Sequence, residues 1–291
     1  MDRTLSAASE LPTGRTLGEM PTLVPLRGGR ARHPIASAAD RTGAAAPDSR
    51  PAADLEIAIP AYNEAARLPR TLARTVEFLR QQPWSARVVV VDNGSSDGTA
   101  DVVRAHVRAS DGAVPVDLVG CARPGKGAAV RRAMLSSRSR FVGFFDADLA
   151  TPLETLVDVM RHLEGGAAAV IGSRHAAGAT FVQAQPRARR LGGAAFRLAT
   201  RSLVHDVADT QCGFKFFDRT AVVPALVSCR TNDFAFDVEL LRHVQELGLD
   251  IVEIPVAWTD CRGSSFSPVR DGLSAFRAIV PLLRAAAGTR S

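Results

Sequence analysis

Several features are scarce in this chain of 291 residues. It has four cysteines, Cys121, Cys212, Cys229 and Cys261, and no two of them form a C-x-x-C pair. Thiols this scattered argue against a zinc site or a disulfide scaffold and fit a reducing cytoplasm. With one tyrosine, two tryptophans and no aromatic-studded basic patch, the chain lacks the stacking platform of a nucleic-acid binder. No window reaches the roughly 18 apolar residues of a spanning helix, and the N-terminus lacks the charged-then-apolar layout of a signal peptide. The expected location is the cytoplasm, free or peripheral on the inner face of the membrane. No internal repeats are visible.

The bulk of the composition is that of a soluble enzyme, 46% hydrophobic and 23% charged. The formal charge of +6 comes from arginine far more than lysine, which suits phosphate-bearing partners. The same excess of arginine and alanine is what a GC-rich genome produces.

Residues 1–53 are rich in Ala, Arg, Gly, Pro, Ser and Thr without apolar periodicity, and read as a largely disordered extension. From Leu55 the pattern is regular. Strands are expected at Leu55–Ile59, Arg87–Val91, Pro115–Val119 and Phe141–Phe145, with helices at Glu64–Gln82, Asp97–Arg108 and Gly127–Ser137 between them. Such alternation implies βαβ units, so the fold class is α/β, a mostly parallel sheet with helices on both faces. Thr151-Pro152-Leu-Glu154 reads as a capping box opening a helix that ends near Gly165. Ala167–Ile171 follows as a strand, then a polar stretch to Asp209, a strand at Phe214–Phe217, helices at Thr220–Val227 and Phe236–Leu247, and a strand at Asp250–Trp258.

Phe141-Val-Gly-Phe-Phe-Asp-Ala-Asp148 ends a buried strand in two carboxylates, at the edge where open α/β sheets bind ligands. Residues i and i+2 of an extended segment point the same way, so Asp146 and Asp148 can face one hard cation and a nucleotide diphosphate. The plainer alternative is an Asp capping the next helix. Val91-Asp-Asn-Gly-Ser-Ser-Asp-Gly-Thr99 closes the second strand on the same edge. Asp92 there can accept hydrogen bonds from a base or ribose, although such a run can also be only an Asx turn. Between Pro186 and Val204, at about 100° per residue, Arg187, Arg190, Arg197 and Arg201 share an arc. Beside them lie Leu191, Ala195, Leu198, Ala199 and Leu203, a layout that suits an anionic bilayer or a plain surface helix. The tail Leu273–Ala287 is a candidate second surface contact.

Pro60-x-Tyr62-Asn63-Glu64, Asp92-x-Gly94-Ser95-x-Asp97-Gly98-Thr99, Gly125-Lys126-Gly127 and Asp146-x-Asp148 occur together and in order. In this the chain resembles a family 2 glycosyltransferase of the Rossmann-like GT-A fold. Gly172-Ser-Arg174, Asp209-Thr-Gln-Cys-Gly-Phe-Lys-Phe-Phe217 and Phe234-Ala-Phe-Asp-Val-Glu-Leu240 resemble the dolichyl-phosphate β-glucosyltransferase branch. The resemblance implies a nucleotide-sugar half at 54–150, an acceptor half at 151–270 and an amphipathic helix or tail at 271–291. It implies that Pro60, Tyr62, Glu64, Asp92, Lys126 and Asp146 bind the nucleotide sugar, and that Asp146 and Asp148 form the site for Mg2+ or Mn2+, with Asp148 the ligand proper and Asp146 holding the ribose or a metal-bound water. Arg174, Gln211, Lys215, Arg190 and Arg197 would serve the sugar and acceptor, and Asp237 would orient or deprotonate the acceptor, with helix capping as its alternative role.

The implied reaction is inverting transfer of a hexose, glucose first, from a UDP-sugar to a polyprenyl phosphate. A soluble metabolite or peptide hydroxyl or thiol is the alternative acceptor. Many lipid-phosphate relatives carry Gly-Ser-Lys where this chain has Gly263-Ser-Ser265, leaving Arg262 or Arg270 to meet phosphate. Three other classes fit worse. A nicotinamide dehydrogenase needs G-x-G-x-x-G after the first strand, and a sugar-1-phosphate nucleotidyltransferase needs a Gly-rich loop where Pro-Ala-Tyr-Asn-Glu stands. A non-catalytic nucleotide-binding scaffold would dispense with the two acids.

Overall fold

The computed structural model describes residues 53–181, 187–259 and 277–283. The first half repeats one unit, a short β-branched or aromatic strand followed by an amphipathic helix. β1 (Leu55–Ala61) leads to α1 (Leu68–Arg80), β2 (Ala86–Asp92) to α2 (Thr99–Ala109), β3 (Val116–Gly120) to α3 (Lys126–Ser136), and β4 (Phe141–Phe145) to α4 (Thr155–Glu164). The second half adds β5 (Ala169–Ser173), β6 (Thr180–Phe181), α5 (Arg187–Thr200), β7 (Phe214–Asp218), α6 (Arg219–Ser228), α7 (Phe236–Glu246), β8 (Ile251–Pro255) and β9 (Ala257–Trp258). A further helix, α8, covers 277–283.

Seven strands form one sheet in the order β3-β2-β1-β4-β7-β5-β8, and β6 pairs with β9 outside it. The sheet is parallel except for β7, which runs against both β4 and β5. Its register sets Phe214 opposite Phe145. The segment leading into β7 therefore arrives at the edge where β1, β2 and β4 end, and this one reversal brings the two halves of the chain to a common site.

Strand alternation divides the core between two faces. Ile57, Ile59, Val88, Val90, Phe141, Phe145, Phe214 and Phe216 pack with α1, α2 and α4. Ala58, Val89, Val91, Val142, Phe144 and Phe217 pack with α3, α6 and α7. Each fully buried Phe contributes about 1.5–3 kcal/mol by removal from water. Gly143 is required at its place in β4, because a Cβ there would lie 2.1 Å from the Phe216 ring.

Several expected boundaries shift for local reasons. The first helix starts at Leu68, not Glu64, because residues 63–65 are spent on hydrogen bonds to the next loop. The expected capping box at Thr151 does not form. Leu149 adopts φ 52° and turns the chain aside, and Thr155, Leu156 and Val157, the first residues of α4, donate to carbonyls three residues back. Glu154 is the N-cap, and its side chain makes no capping bond. The last expected strand breaks at Val256, whose N–H turns to Ser173 O, so β8 stays in the main sheet while β9 joins β6.

Residues 1–52 of the expected extension, Gly263-Ser-Ser265, Arg262 and Arg270 lie outside the described residues. The described part of the tail corrects the surface-contact expectation. Ile279 of α8 is buried in the core, Leu282 and Leu283 pack against it, and Arg242 of α7 donates to Leu282 O, so these apolar side chains leave water by packing on the protein itself. Among the described residues, no helix is long and apolar enough to cross a membrane.

Candidate functional site

The loops after β1 and β2 are laced by side chains that sequence patterning marks as ligand-binding. Asn63, at φ 55°, donates its N–H to Ser95 Oγ at 3.0 Å and accepts Ser96 N–H on Oδ1 at 2.9 Å. Glu64 N–H donates to Thr99 Oγ1 at 2.9 Å, and Ala65 N–H to Asp97 Oδ2 at 3.1 Å. Asp97 is held below the usual carboxylate range, chiefly by the Thr99 hydroxyl. Asp92, at the end of β2, accepts Ser95 N–H at 3.0 Å and so closes its own turn. Glu64 is clasped by Arg67 through both oxygens, at 3.0 and 2.8 Å. Pro60 lies within β1 opposite Val91, and Tyr62 is 59% exposed at the rim.

Asn93 extends the lacing to the third loop. Its amide donates to Arg123 O at 2.7 Å and accepts Gly125 N–H at 2.6 Å. Gly125 sits at φ 111°, where a Cβ would fall 2.0 Å from Asn232 O. Only glycine allows the third loop to pass so close to the backbone between α6 and α7. Lys126, the first residue of α3, is thereby aimed at the end of β4.

Asp146 Oδ1 lies 2.7 Å from Lys126 Nζ, with side-chain exposures of 45% and 18%. Asp146 also fills the space over Gly213, where a Cβ would lie 1.9 Å from its Oδ2. Burial and the Asp146 charge push the Asp148 carboxyl up, while Arg67 and Lys126 oppose them. Burial disfavours the charge on Lys126, but Asp146 and then Asp237 outweigh it and raise the lysine above its ordinary value. Two carboxylates on one turn beside a glycine-lined cradle form a donor set that fits a hard divalent ion. Among the described residues, no third His, Cys, Asp or Glu completes a metal cluster.

The second half supplies cations and a buried pair. Arg174, just past β5, holds Asp209 through Nε at 2.6 Å and Nη2 at 2.8 Å, and its guanidinium lies 5.7 Å from the Trp258 ring. Burial alone would raise the Asp209 carboxyl, but Arg174 holds it well below the usual range. Glu253 of β8 fixes the backbone of Ala208 and Asp209, at 2.8 and 3.0 Å. Burial lowers Arg197, which feels Asp209, Arg174 and Arg201 nearby. Gln211 reaches Phe234 O at 3.4 Å. Burial, then Asp209, pushes the neighbouring Cys212 thiol up to about 11. The side chain of Arg190 lies outside the described residues.

Lys215 departs from its expected ligand role. It is 0% exposed, with Nζ 2.7 Å from Asp237 Oδ1 and donating also to Cys212 O. Strand alternation turns it inward beside Phe217 and toward Asp237. Asp237 and Glu239 face apart, as their spacing implies. Glu239 accepts the N–H groups of Arg230 and Thr231, at 2.9 and 2.8 Å. Ala235 is the N-cap of α7, so Asp237 is no capping residue.

Sequence patterning passed over Asn93, Gly213, Arg131 and Asn232; Arg131 donates to Asn232 Oδ1 at 2.9 Å and to Cys229 O. It also passed over a compositional signal. Of the 36 lysines and arginines only two are lysines, Lys126 and Lys215. Both ammonium groups sit by the Phe144 ring, at 5.4 and 5.6 Å. Every other strongly basic residue of the chain is an arginine, so these two places carry a compact, flexible ammonium where the rest of the chain carries a planar fork.

The family description "Glycosyl transferase family 2" matches residues 56–223. The dolichyl-phosphate beta-glucosyltransferase of Dictyostelium discoideum is 31% identical over 237 residues, 78% of this chain and 72% of that protein. The Drosophila melanogaster protein of the same name is 34% identical over 236 residues, 76% of this chain and 72% of its own length. The human one is 33% identical, covering 75% of this chain and 71% of itself. Among solved structures, glucosyl-3-phosphoglycerate synthase from Mycobacterium tuberculosis aligns with a TM-score of 0.60 at 21% identity, over 81% of this chain and 80% of that one. At that identity the likeness carries the GT-A fold alone. With a family match over more than half its length and curated relatives above 30% identity, the chain belongs to glycosyl transferase family 2 and is a glycosyltransferase.

Proposed function

We propose that this enzyme transfers glucose from UDP-glucose to a polyprenyl phosphate with inversion at the anomeric carbon. The observation that carries the reading is the meeting, at one sheet edge, of the Asp146 and Asp148 carboxylates with the Arg174–Asp209 and Lys215–Asp237 pairs. The relatives named dolichyl-phosphate beta-glucosyltransferase supply the donor sugar and the acceptor class.

In this reading Pro60, Tyr62, Glu64 and Asp92 line the uridine side, and the laced loops keep that wall rigid. Asp146 and Asp148 hold Mg2+ or Mn2+, which when bound supplies Lewis acidity and neutralises charge on the departing UDP. Lys126 stands on the diphosphate side and adds a positive charge there. A lipid phosphate is already an anion at neutral pH, its second ionisation lying at about 6. It needs positioning more than deprotonation. Arg174, Arg197 and Gln211 supply cations and a donor for that headgroup, and the buried Lys215–Asp237 pair supports the site from beneath. A phosphate oxygen bonds to the anomeric carbon as the bond to UDP breaks, and the electron pair leaves with UDP. An α-linked donor gives a β-linked product.

The outer side of α5 fits peripheral contact with an anionic bilayer. Leu198 is 70% exposed, and Ala194 and Ala195 beside it are exposed too, while Phe196 and Thr200 face the core. Salt-sensitive sedimentation with anionic vesicles tests that contact.

The reaction is tested by incubating the protein with UDP-glucose, Mn2+ and either dolichyl phosphate or phosphoglyceric acid, and following product mass. A glucosylated lipid phosphate is expected, with turnover reduced at least about a hundredfold in Asp148→Ala while the melting temperature is kept. Product from phosphoglyceric acid alone would overturn the lipid acceptor, and full turnover in Asp148→Ala would overturn the metal role.

A further inference from the structure

Asp146 serves two cations. Its Oδ1 is engaged by Lys126 Nζ at 2.7 Å, a full charge-assisted contact in a part-buried setting. The same carboxylate is one of the two that would hold a divalent ion under the function proposed above, on which this inference rests. A lysine ammonium and a divalent ion cannot crowd one carboxylate without strong mutual repulsion, whichever oxygen the ion takes.

Lys126 is well placed to exchange partners. It is the first residue of α3, on a loop that Asn93 and Asn232 hold in place, so the backbone stays while the four-carbon stem moves. Phe144 lies beneath the ammonium at 5.4 Å and gives it a cation-accepting surface during the move. The site uses a lysine in a chain where all but two of the 36 strongly basic residues are arginine. An arginine fork would hold a carboxylate through two parallel bonds and release it less readily.

We propose that Lys126 competes with the divalent ion for Asp146 and transfers to the diphosphate when nucleotide arrives, so that ion and nucleotide binding become interdependent. Either ligand alone meets a cost: the ion must displace an ammonium, and the diphosphate must draw that ammonium from Asp146. Together they leave every charge paired. Coupling of this kind is reciprocal, so UDP tightens ion binding by the factor by which the ion tightens UDP.

The test is calorimetric and needs no turnover. Mn2+ affinity is measured without and with saturating UDP for the natural protein, Lys126→Met and Lys126→Arg, with melting temperatures as the check on folding. In Lys126→Met, Mn2+ alone is expected to bind roughly tenfold tighter than in the natural protein, and the UDP-induced gain to shrink by a similar factor. Lys126→Arg, which keeps the charge and grips harder, is expected to bind Mn2+ alone more weakly than the natural protein. Mn2+ affinity without UDP that is unchanged or lower in Lys126→Met would overturn the hand-over, even where UDP and Mn2+ bind the natural protein together. Should Lys126→Met not fold, Mn2+ bound as tightly by Lys126→Arg as by the natural protein would overturn it equally. Failure of the natural protein to bind UDP with Mn2+ would instead overturn the donor reading itself.

Discussion

Gly213 has no side chain, and Asp146 uses the space. A methyl group there would lie 1.9 Å from Asp146 Oδ2, and since the carboxylate is the end of a short side chain, it is what would move. Gly213→Ala is expected to keep the melting temperature within a few degrees and to weaken Mn2+·UDP binding about tenfold or more, which titration calorimetry reads directly. The Lys215–Asp237 pair is the contrasting case. Breaking a pair this deep by removing one partner costs about 3–5 kcal/mol, so loss of activity there reports folding as much as chemistry. Residue types at the site were legible from the sequence because carboxylates, glycines and lysine stand out against apolar strands. The burial of Lys215 was not, since the resemblance put it at the sugar or acceptor and its partner Asp237 lies 22 residues further along the chain.

Between α6 and α7 the chain has little core of its own and is held from outside. Arg131 of α3 reaches Cys229 O and Asn232 Oδ1, Ala128 N–H donates to Asn232 O, and Glu239 of α7 collects the Arg230 and Thr231 amides and the Thr231 hydroxyl. This segment precedes Asp237, so its rigidity decides where that carboxylate sits. Glu239→Gln removes the charge from these bonds and is expected to cost about 2 kcal/mol. Faster hydrogen exchange at the Arg230 and Thr231 amides, against unchanged exchange in β1 and β4, is the expected readout. At this scale the first four strands and their helices were readable from periodicity, because each is a local pattern of apolar residues. The reversed direction of β7, the pairing of β6 with β9 and the burial of α8 were not, because they depend on partners far along the chain. The capping box at Thr151 misled for a related reason: the signal was local, and Leu149 in the turn after Asp148 overrode it.

For the molecule as a whole, the Arg174–Asp209 contact ties the loop after β5 to the segment entering β7, with Glu253 of β8 behind it. Asp209 has its carboxyl depressed below the ordinary 3.8, with Arg174 outweighing burial. The folded state therefore binds that proton less readily than the unfolded chain. The stabilisation is fully present above about 3.8 and drains away as the pH falls toward the folded value. Urea midpoints measured from neutral pH down to strong acid are expected to fall steeply below pH ~4 in the natural protein, and with a shallower slope in Asp209→Asn.

The reversed strand also separates two evolutionary freedoms. Because β7 enters the sheet from the edge where β1, β2 and β4 end, the described chain between β5 and β7 lies at that edge at both its ends, while the loops after β1, β2 and β3 come wholly from earlier chain. Under the proposed function, acceptor preference can shift through substitutions in that crossing while the loops on the donor side keep their geometry.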